Sequence, residues 1–267
     1  MNTTSANRVE LPLEVTLRAR RDGGAKLLVP YITAGHSDNW VETLHAVAEA
    51  GADAIELGIP FSDPIMDGPV IQEASQRALE RGVTPVSVVG DLKGSDPGVP
   101  TLVMTYCNLV FHAGFERFAG WLGDAGISGT ILPDLPLEEA REWSEVATAN
   151  LISNVLLVAP TTSKERAELI ARESSGFVYG IGLMGVTGVR DKLASSAQKV
   201  ATMLKSVTDK PVLVGVGVSS PAQAREVAQF CDGVIVGSAL VKILNQGGGP
   251  QEAFDFISSI RKALDAS

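Results

Sequence analysis

Glu56 sits inside an apolar run, Ala54-Ile55-Glu56-Leu57-Gly58. A carboxylate buried there costs free energy unless it has a partner or a chemical task. Partial desolvation raises a carboxyl pKa, which suits the group to hand over a proton near neutral pH. A salt-bridged core glutamate is the competing reading of the same position. Asp63 and Asp67 follow in Pro60-Phe61-Ser62-Asp63-Pro64-Ile65-Met66-Asp67-Gly68-Pro69, and Asp134 follows a later apolar run. Each can equally be a turn or cap residue, the common part of Asp beside Pro or Gly. Spacing alone does not choose among the three. Asp22, in an Arg-Asp-Gly-Gly turn, reads as structural.

A second chemistry is suggested by glycine. Three clusters each follow a late apolar run: Gly185-Val186-Thr187-Gly188, Gly215-Val216-Gly217-Val218-Ser219, and Gly237-Ser238-Ala239-Leu240. Glycine lets backbone N–H groups approach an anion closely. A helix starting at Ser238 would add free N–H groups and its positive dipole end. Together these predict a phosphate site. Ordinary turn glycines are the alternative for any one cluster.

The elements that must position these residues follow a βα alternation. Eight short apolar runs begin near Leu27, Asp53, Thr101, Gly129, Asn154, Phe177, Pro211 and Gly233. Near-continuous apolarity suits parallel strands covered on both faces. Helical stretches lie between them. One is capped by Ser37 or Asp38 and stopped by Gly51; another starts at Pro69 and runs to about Arg81. Others fit roughly 116–125, 138–149, 164–172, 194–207, 221–230 and 251–264, with a short extra one from Ser238. A Rossmann-like sheet would want G-x-G-x-x-G after the first strand, and Thr33-Ala34-Gly35-His36 does not supply it. The expectation is one (β/α)8 TIM barrel over residues 1–267, with about eight flexible residues at the start and an extra short helix at the phosphate site.

Composition narrows the partners. The 267 residues carry 22 Lys and Arg against 31 Asp and Glu, a net charge of −9. That argues against general nucleic-acid binding, which needs a basic footprint. The three histidines have no metal-ligand spacing, so no metal site is expected. Cys107 and Cys231 form no C-x-x-C pair and read as buried thiols. No apolar run approaches a membrane span, and Met1–Glu10 lacks the apolar core of a secretory signal, so the chain reads as cytoplasmic.

The segment from Glu56 to Pro69 resembles the signature of the tryptophan synthase alpha chain family. Pro30–Gly35, Met104–Asn108, Pro133–Pro136, Gly185–Gly188, Gly215–Ser220 and Gly237–Lys242 also match, in the family's order, across residues 26–244. The resemblance implies retro-aldol cleavage of indole-3-glycerol phosphate to indole and glyceraldehyde 3-phosphate, without a cofactor. It implies Glu56 as the acid/base at indole C3 and the side-chain hydroxyl, and Asp67 as the partner of the indole N–H. Tyr31, Leu102, Tyr106, Ile131 and Tyr179 would line the indole slot. Thr187 would bond the aspartate when its loop closes. Backbone groups of Gly188, Gly217, Gly237 and Ser238 would hold the phosphate. The implied partner is the beta chain, a pyridoxal-phosphate enzyme that receives indole in an αββα complex; residues 61–67 and 106–111 would face it. The sequence departs from the family's pattern at Gly180–Met184 and His36. Three alternatives stand beside this reading: a free-standing lyase, a different phosphate-binding barrel, and a non-catalytic regulatory subunit. A Schiff-base aldolase would want a lysine at a strand centre, and none is there; a pure binder has no need to keep both carboxylates.

Overall fold

The computed structural model describes residues 10–182 and 190–266. Eight parallel strands close into a barrel in sequence order: β1 (Leu27–Thr33), β2 (Ile55–Gly58), β3 (Thr101–Met104), β4 (Ile127–Ile131), β5 (Ser153–Val158), β6 (Val178–Ile181), β7 (Val212–Gly215) and β8 (Gly233–Val236). Every residue of β1, β2 and β8 is buried, as strands with the barrel interior on one side and helices on the other must be.

The helices meet the sequence expectation closely where proline or a hydroxyl marks the start. Pro69 opens α3 (Pro69–Glu80) and Pro221 opens α10 (Pro221–Ala228) behind a Ser220 cap. Ser163 caps α8 (Lys164–Glu173). The helix after β1, α2 (Trp40–Glu49), starts after Asn39 rather than after Ser37 or Asp38. Ser37 Oγ instead donates to Asn39 Oδ1, and Asp38 pairs with Arg81, so both side chains are committed within the preceding turn.

Three helices were not anticipated: α1 (Pro12–Asp22), α4 (Pro85–Leu92) and α5 (Cys107–Ala113). The signals for two of them were present. Pro12 stands at the start of α1, and Thr84 with Ser87 forms a reciprocal capping box on α4. The first helix matters most for the barrel. Leu13 and Leu17, four residues apart and so on one face, are fully buried in the barrel interior with Leu27, Leu102, Phe177 and Leu213. They plug its lower end.

Strand register sets the height of every inward side chain. Tyr31 pairs with Glu56, Met104 with Ile131, Leu157 with Tyr179. Between those pairs the inward ring climbs by two residues per step: Glu56 pairs with Leu102 rather than Met104, and Ile131 with Val155 rather than Leu157. The same climb occurs from β6 to β7 and from β8 to β1. This stagger tilts the strands and lifts one ring of side chains to the mouth.

Among the described residues no helix is long and apolar enough to cross a membrane, and no cluster of His, Cys, Asp and Glu could hold a metal ion. Both cysteines are buried free thiols, and burial raises their pKa values.

Candidate active site

A cavity of about 410 Å³ opens at the C-terminal end of the barrel. Its wall is the climbing ring: Tyr31, Glu56, Met104, Ile131, Leu157 and Tyr179, completed by the β7 and β8 ends. The carboxylates lie on the β2 side. The backbone of Gly217, Gly237 and Ser238 lies on the β7–β8 side, with Tyr31 of β1 between. The wall between them is largely apolar, and so is suited to a flat aromatic body.

Glu56 is fully buried, and its Oε2 has no hydrogen-bond partner among the described residues. Desolvation, with a smaller contribution from the Asp67 charge, pushes its carboxyl up to about 8. It is therefore mostly protonated at neutral pH, a neutral acid facing the cavity. Two glycines keep the space beside it clear for aromatic rings. A Cβ at Gly58 would lie 1.8 Å from the Tyr31 hydroxyl, and one at Gly215 would lie 2.5 Å from the Tyr179 hydroxyl. Burial raises the pKa of both tyrosines, so their hydroxyls stay protonated.

Asp67 ends the loop between β2 and α3. Its backbone N–H donates to Pro64 O at 3.0 Å, and Gln72 Nε2 donates to its carbonyl at 3.0 Å. Tyr106 Oη donates to Asp67 Oδ2 at 3.0 Å and accepts the Met66 N–H at 3.0 Å. The Tyr106 ring stacks on Phe61 with centroids 5.0 Å apart. Burial raises the Asp67 carboxyl to about 6, against the lowering effect of the Tyr106 hydrogen bond. Asp67 is thus mostly ionised where Glu56 is mostly neutral. Two carboxyls driven apart in this way divide into acid and base.

The other acids have structural roles. Asp134 Oδ1 accepts the Cys107 N–H at 2.9 Å and so caps α5. Asp63 is exposed and accepts from Ser62 Oγ.

Across the cavity from the carboxylates stand Gly217, Gly237 and Ser238. Gly217 has φ +82°, a left-handed conformation glycine takes without strain. Gly237 precedes α11 (Ser238–Asn245), and no side chain caps that helix, which leaves its first N–H groups at the cavity wall. Thr187 and Gly188 lie outside the described residues.

Two expected slot residues are placed elsewhere. Leu102 is buried in the interior cluster beneath the cavity, and Met104 takes the wall position. The stagger between β2 and β3 is the cause: the register partner of Glu56 sits one turn of the pleat too low. Tyr106 does not line the cavity; it stands behind Asp67 and holds it. Sequence reasoning also missed Ile71, Leu157, Ile181 and Ile235. They read as ordinary core, and nothing local distinguishes an apolar residue at the mouth from one a layer below.

The comparisons with known proteins agree on one family. A model described as tryptophan synthase alpha chain matches residues 17–263. The tryptophan synthase alpha chain of Microcystis aeruginosa is 43% identical over 255 residues, covering 92% of this chain and 97% of the relative. That of Rippkaea orientalis is 45% identical over 249 residues, covering 91% and 93%. A solved structure of Mycobacterium tuberculosis tryptophan synthase superposes with a TM-score of 0.88 at 37% identity, covering 96% of this chain and 99% of that one. Tryptophan synthase subunit alpha from Legionella pneumophila gives 0.86 at 34% identity, covering 97% and 100%.

Proposed function

The chain belongs to the tryptophan synthase alpha chain family, and from that premise we propose that it cleaves indole-3-glycerol phosphate to indole and glyceraldehyde 3-phosphate. The observation that carries the reading is the split pair: a buried neutral Glu56 and a held, ionised Asp67 on one wall of an apolar slot.

The reaction is a carbon–carbon lyase step. The protonated Glu56 gives its proton to indole C3 while Asp67 takes the N–H proton, forming the indolenine. The Glu56 carboxylate then removes the proton of the side-chain hydroxyl next to the ring. That C–O becomes the aldehyde, the bond to C3 breaks, and its electron pair restores the ring as Asp67 returns the N–H proton. Atoms and charge balance without a metal or an organic cofactor. Each positioned proton transfer is worth about 10²–10⁴-fold. The backbone at Gly217, Gly237 and Ser238 would anchor the phosphate, with Gly188 beside them, and Thr187 would bond Asp67 when its loop closes and excludes water.

The partner is a beta chain with its own pyridoxal phosphate, joined in an αββα complex that receives indole. Ile65 and Phe111 support this: both are exposed on the 61–67 and 106–111 segments beside the mouth. The assembly would work in the cytoplasm.

The test is indole release from indole-3-glycerol phosphate by the purified chain, with and without a beta chain. Slow cleavage that the beta chain accelerates, and that Glu56→Gln abolishes, supports the reading. No indole under any condition sinks it. Full activity that a beta chain never changes favours a free-standing lyase.

A further inference from the structure

Tyr31 was expected as apolar wall for the indole ring, yet its hydroxyl stands over Glu56 in the cavity that Asp67 also lines, hydrogen-bonded to neither carboxyl in the unliganded chain. Side chains two apart on a strand share a face, so a Cβ at Gly58 would point into the barrel directly above Glu56, toward the mouth. That Cβ would lie 1.8 Å from Tyr31 Oη and 2.5 Å from Cζ. The phenol end therefore fills the place a residue-58 side chain would take, one layer above Glu56. The loop that carries Asp67 rises from the same strand end and lines the same cavity.

The hydroxyl has little else to bond. Among the described residues its hydrogen-bond partner is Thr33, whose Oγ1 donates to it at 3.5 Å, at the outer limit for two hydroxyls. Around the ring, α3 presents Val70, Ile71 and Ala74, α11 presents Val241, and β3 presents Met104, all apolar. The titratable groups that act on it are Asp67, Glu56, Tyr106 and Tyr179. A phenol can donate one proton and accept in return.

We propose that Tyr31 is a positioning residue for the proton-transfer pair, its Oη–H turned to the Asp67 carboxylate in the working site and its lone pairs to the Glu56 carboxyl. A donor stabilises the charge on Asp67, and an acceptor stabilises the proton on Glu56. The phenol thus keeps the pair unequal, which is the condition the cleavage needs. The inference rests on the reaction reading above for its purpose, but its first readout does not depend on turnover.

The experiment follows the two carboxyl groups by carbon NMR titration in the unliganded full chain, with the pH profile of kcat/KM measured alongside. In Tyr31→Phe the Asp67 value rises and the Glu56 value falls, each by about half a unit to one unit. The profile narrows from both sides, and kcat drops about tenfold with KM little changed. Gly58→Ala keeps the phenol but displaces its hydroxyl, so it narrows the gap in the same sense; it also serves if Tyr31→Phe folds poorly. Thr33→Val, which removes only the long hydrogen bond, leaves the titration where it was. Carboxyl titrations unchanged in both Tyr31→Phe and Gly58→Ala overturn the inference, whatever the activity. A converging titration in a chain that releases no indole sustains the positioning role and overturns the reaction reading instead.

Discussion

Two buried carboxylates lie three residues apart, Asp53 just before β2 and Glu56 within it, and their surroundings are opposite. Asp53, at the lower end, accepts from Arg20 Nε at 2.7 Å, from the Leu28 N–H at 2.8 Å and from Arg261 Nη1 at 3.1 Å. Its charge ties α1, β1 and the last helix, α12 (Pro250–Asp265), to one point. Glu56, higher on the strand and lining the cavity, is equally buried but has an orphan oxygen and a pKa driven up to about 8. The lower end spends its buried charge on holding the barrel together. The cavity side leaves a carboxyl oxygen without compensation, which costs stability and is the kind of group the proposed cleavage would use.

The comparison breaks most sharply on Glu56→Gln. Indole release should fall by about 10²–10⁴-fold while the circular dichroism spectrum stays unchanged. A variant that keeps most of its activity would remove Glu56 from the reaction. Asp53→Ala should do the reverse. It removes the buried one of the two carboxylates paired with Arg261, leaving only the exposed Asp265, at a cost of about 3 kcal/mol in denaturant unfolding. Its rate per folded molecule should stay near wild type; a selective loss of rate would mean the lower end also serves catalysis. Leu13→Ala opens a cavity where α1 plugs the barrel and should cost about 2–5 kcal/mol by the same measurement.

The smaller effects concern pH. The kcat/KM profile should be a bell, rising through about 6 as Asp67 ionises and falling through about 8 as Glu56 loses its proton. Stability carries the same signature. The folded Glu56 binds its proton more tightly than the unfolded chain, whose value is near 4.5. The favourable contribution is complete below that value and is lost as pH rises from there through about 8. Glu56→Gln should flatten this slope and be the more stable protein at pH 8, by at least about 1 kcal/mol. A wild-type unfolding free energy that is level across that window would show that Glu56 titrates normally.

Parts of this were open in the chain itself. Eight apolar runs separated by helical periods bound the fold, because a parallel strand buried on both faces cannot hide its composition. Glu56 stood out for the same reason: a carboxylate inside such a run is costly. Pro69 marked a helix start by its fixed φ and missing N–H, which needs no tertiary context, and the hydroxyl caps at Ser163 and Ser220 act just as locally. The glycines after β7 and β8 were legible as places where the backbone is left bare, because their use is conformational and local.

Closure of the barrel decided the rest. The heights of inward side chains depend on the stagger between strands, so Met104 rather than Leu102 reaches the slot, and register within one strand carries no trace of that. Asp63, Asp67 and Asp134 looked alike in sequence, and the residues alone left them so until the family resemblance singled out Asp67. They separate physically once Tyr106, which lies 39 positions away, donates to Asp67, and the Cys107 N–H claims Asp134. The same holds for Tyr31, whose hydroxyl finds its place because Gly58 on the neighbouring strand has no side chain. Sequence carries what depends on neighbours along the chain; a carboxyl's proton affinity and a phenol's direction depend on neighbours across it.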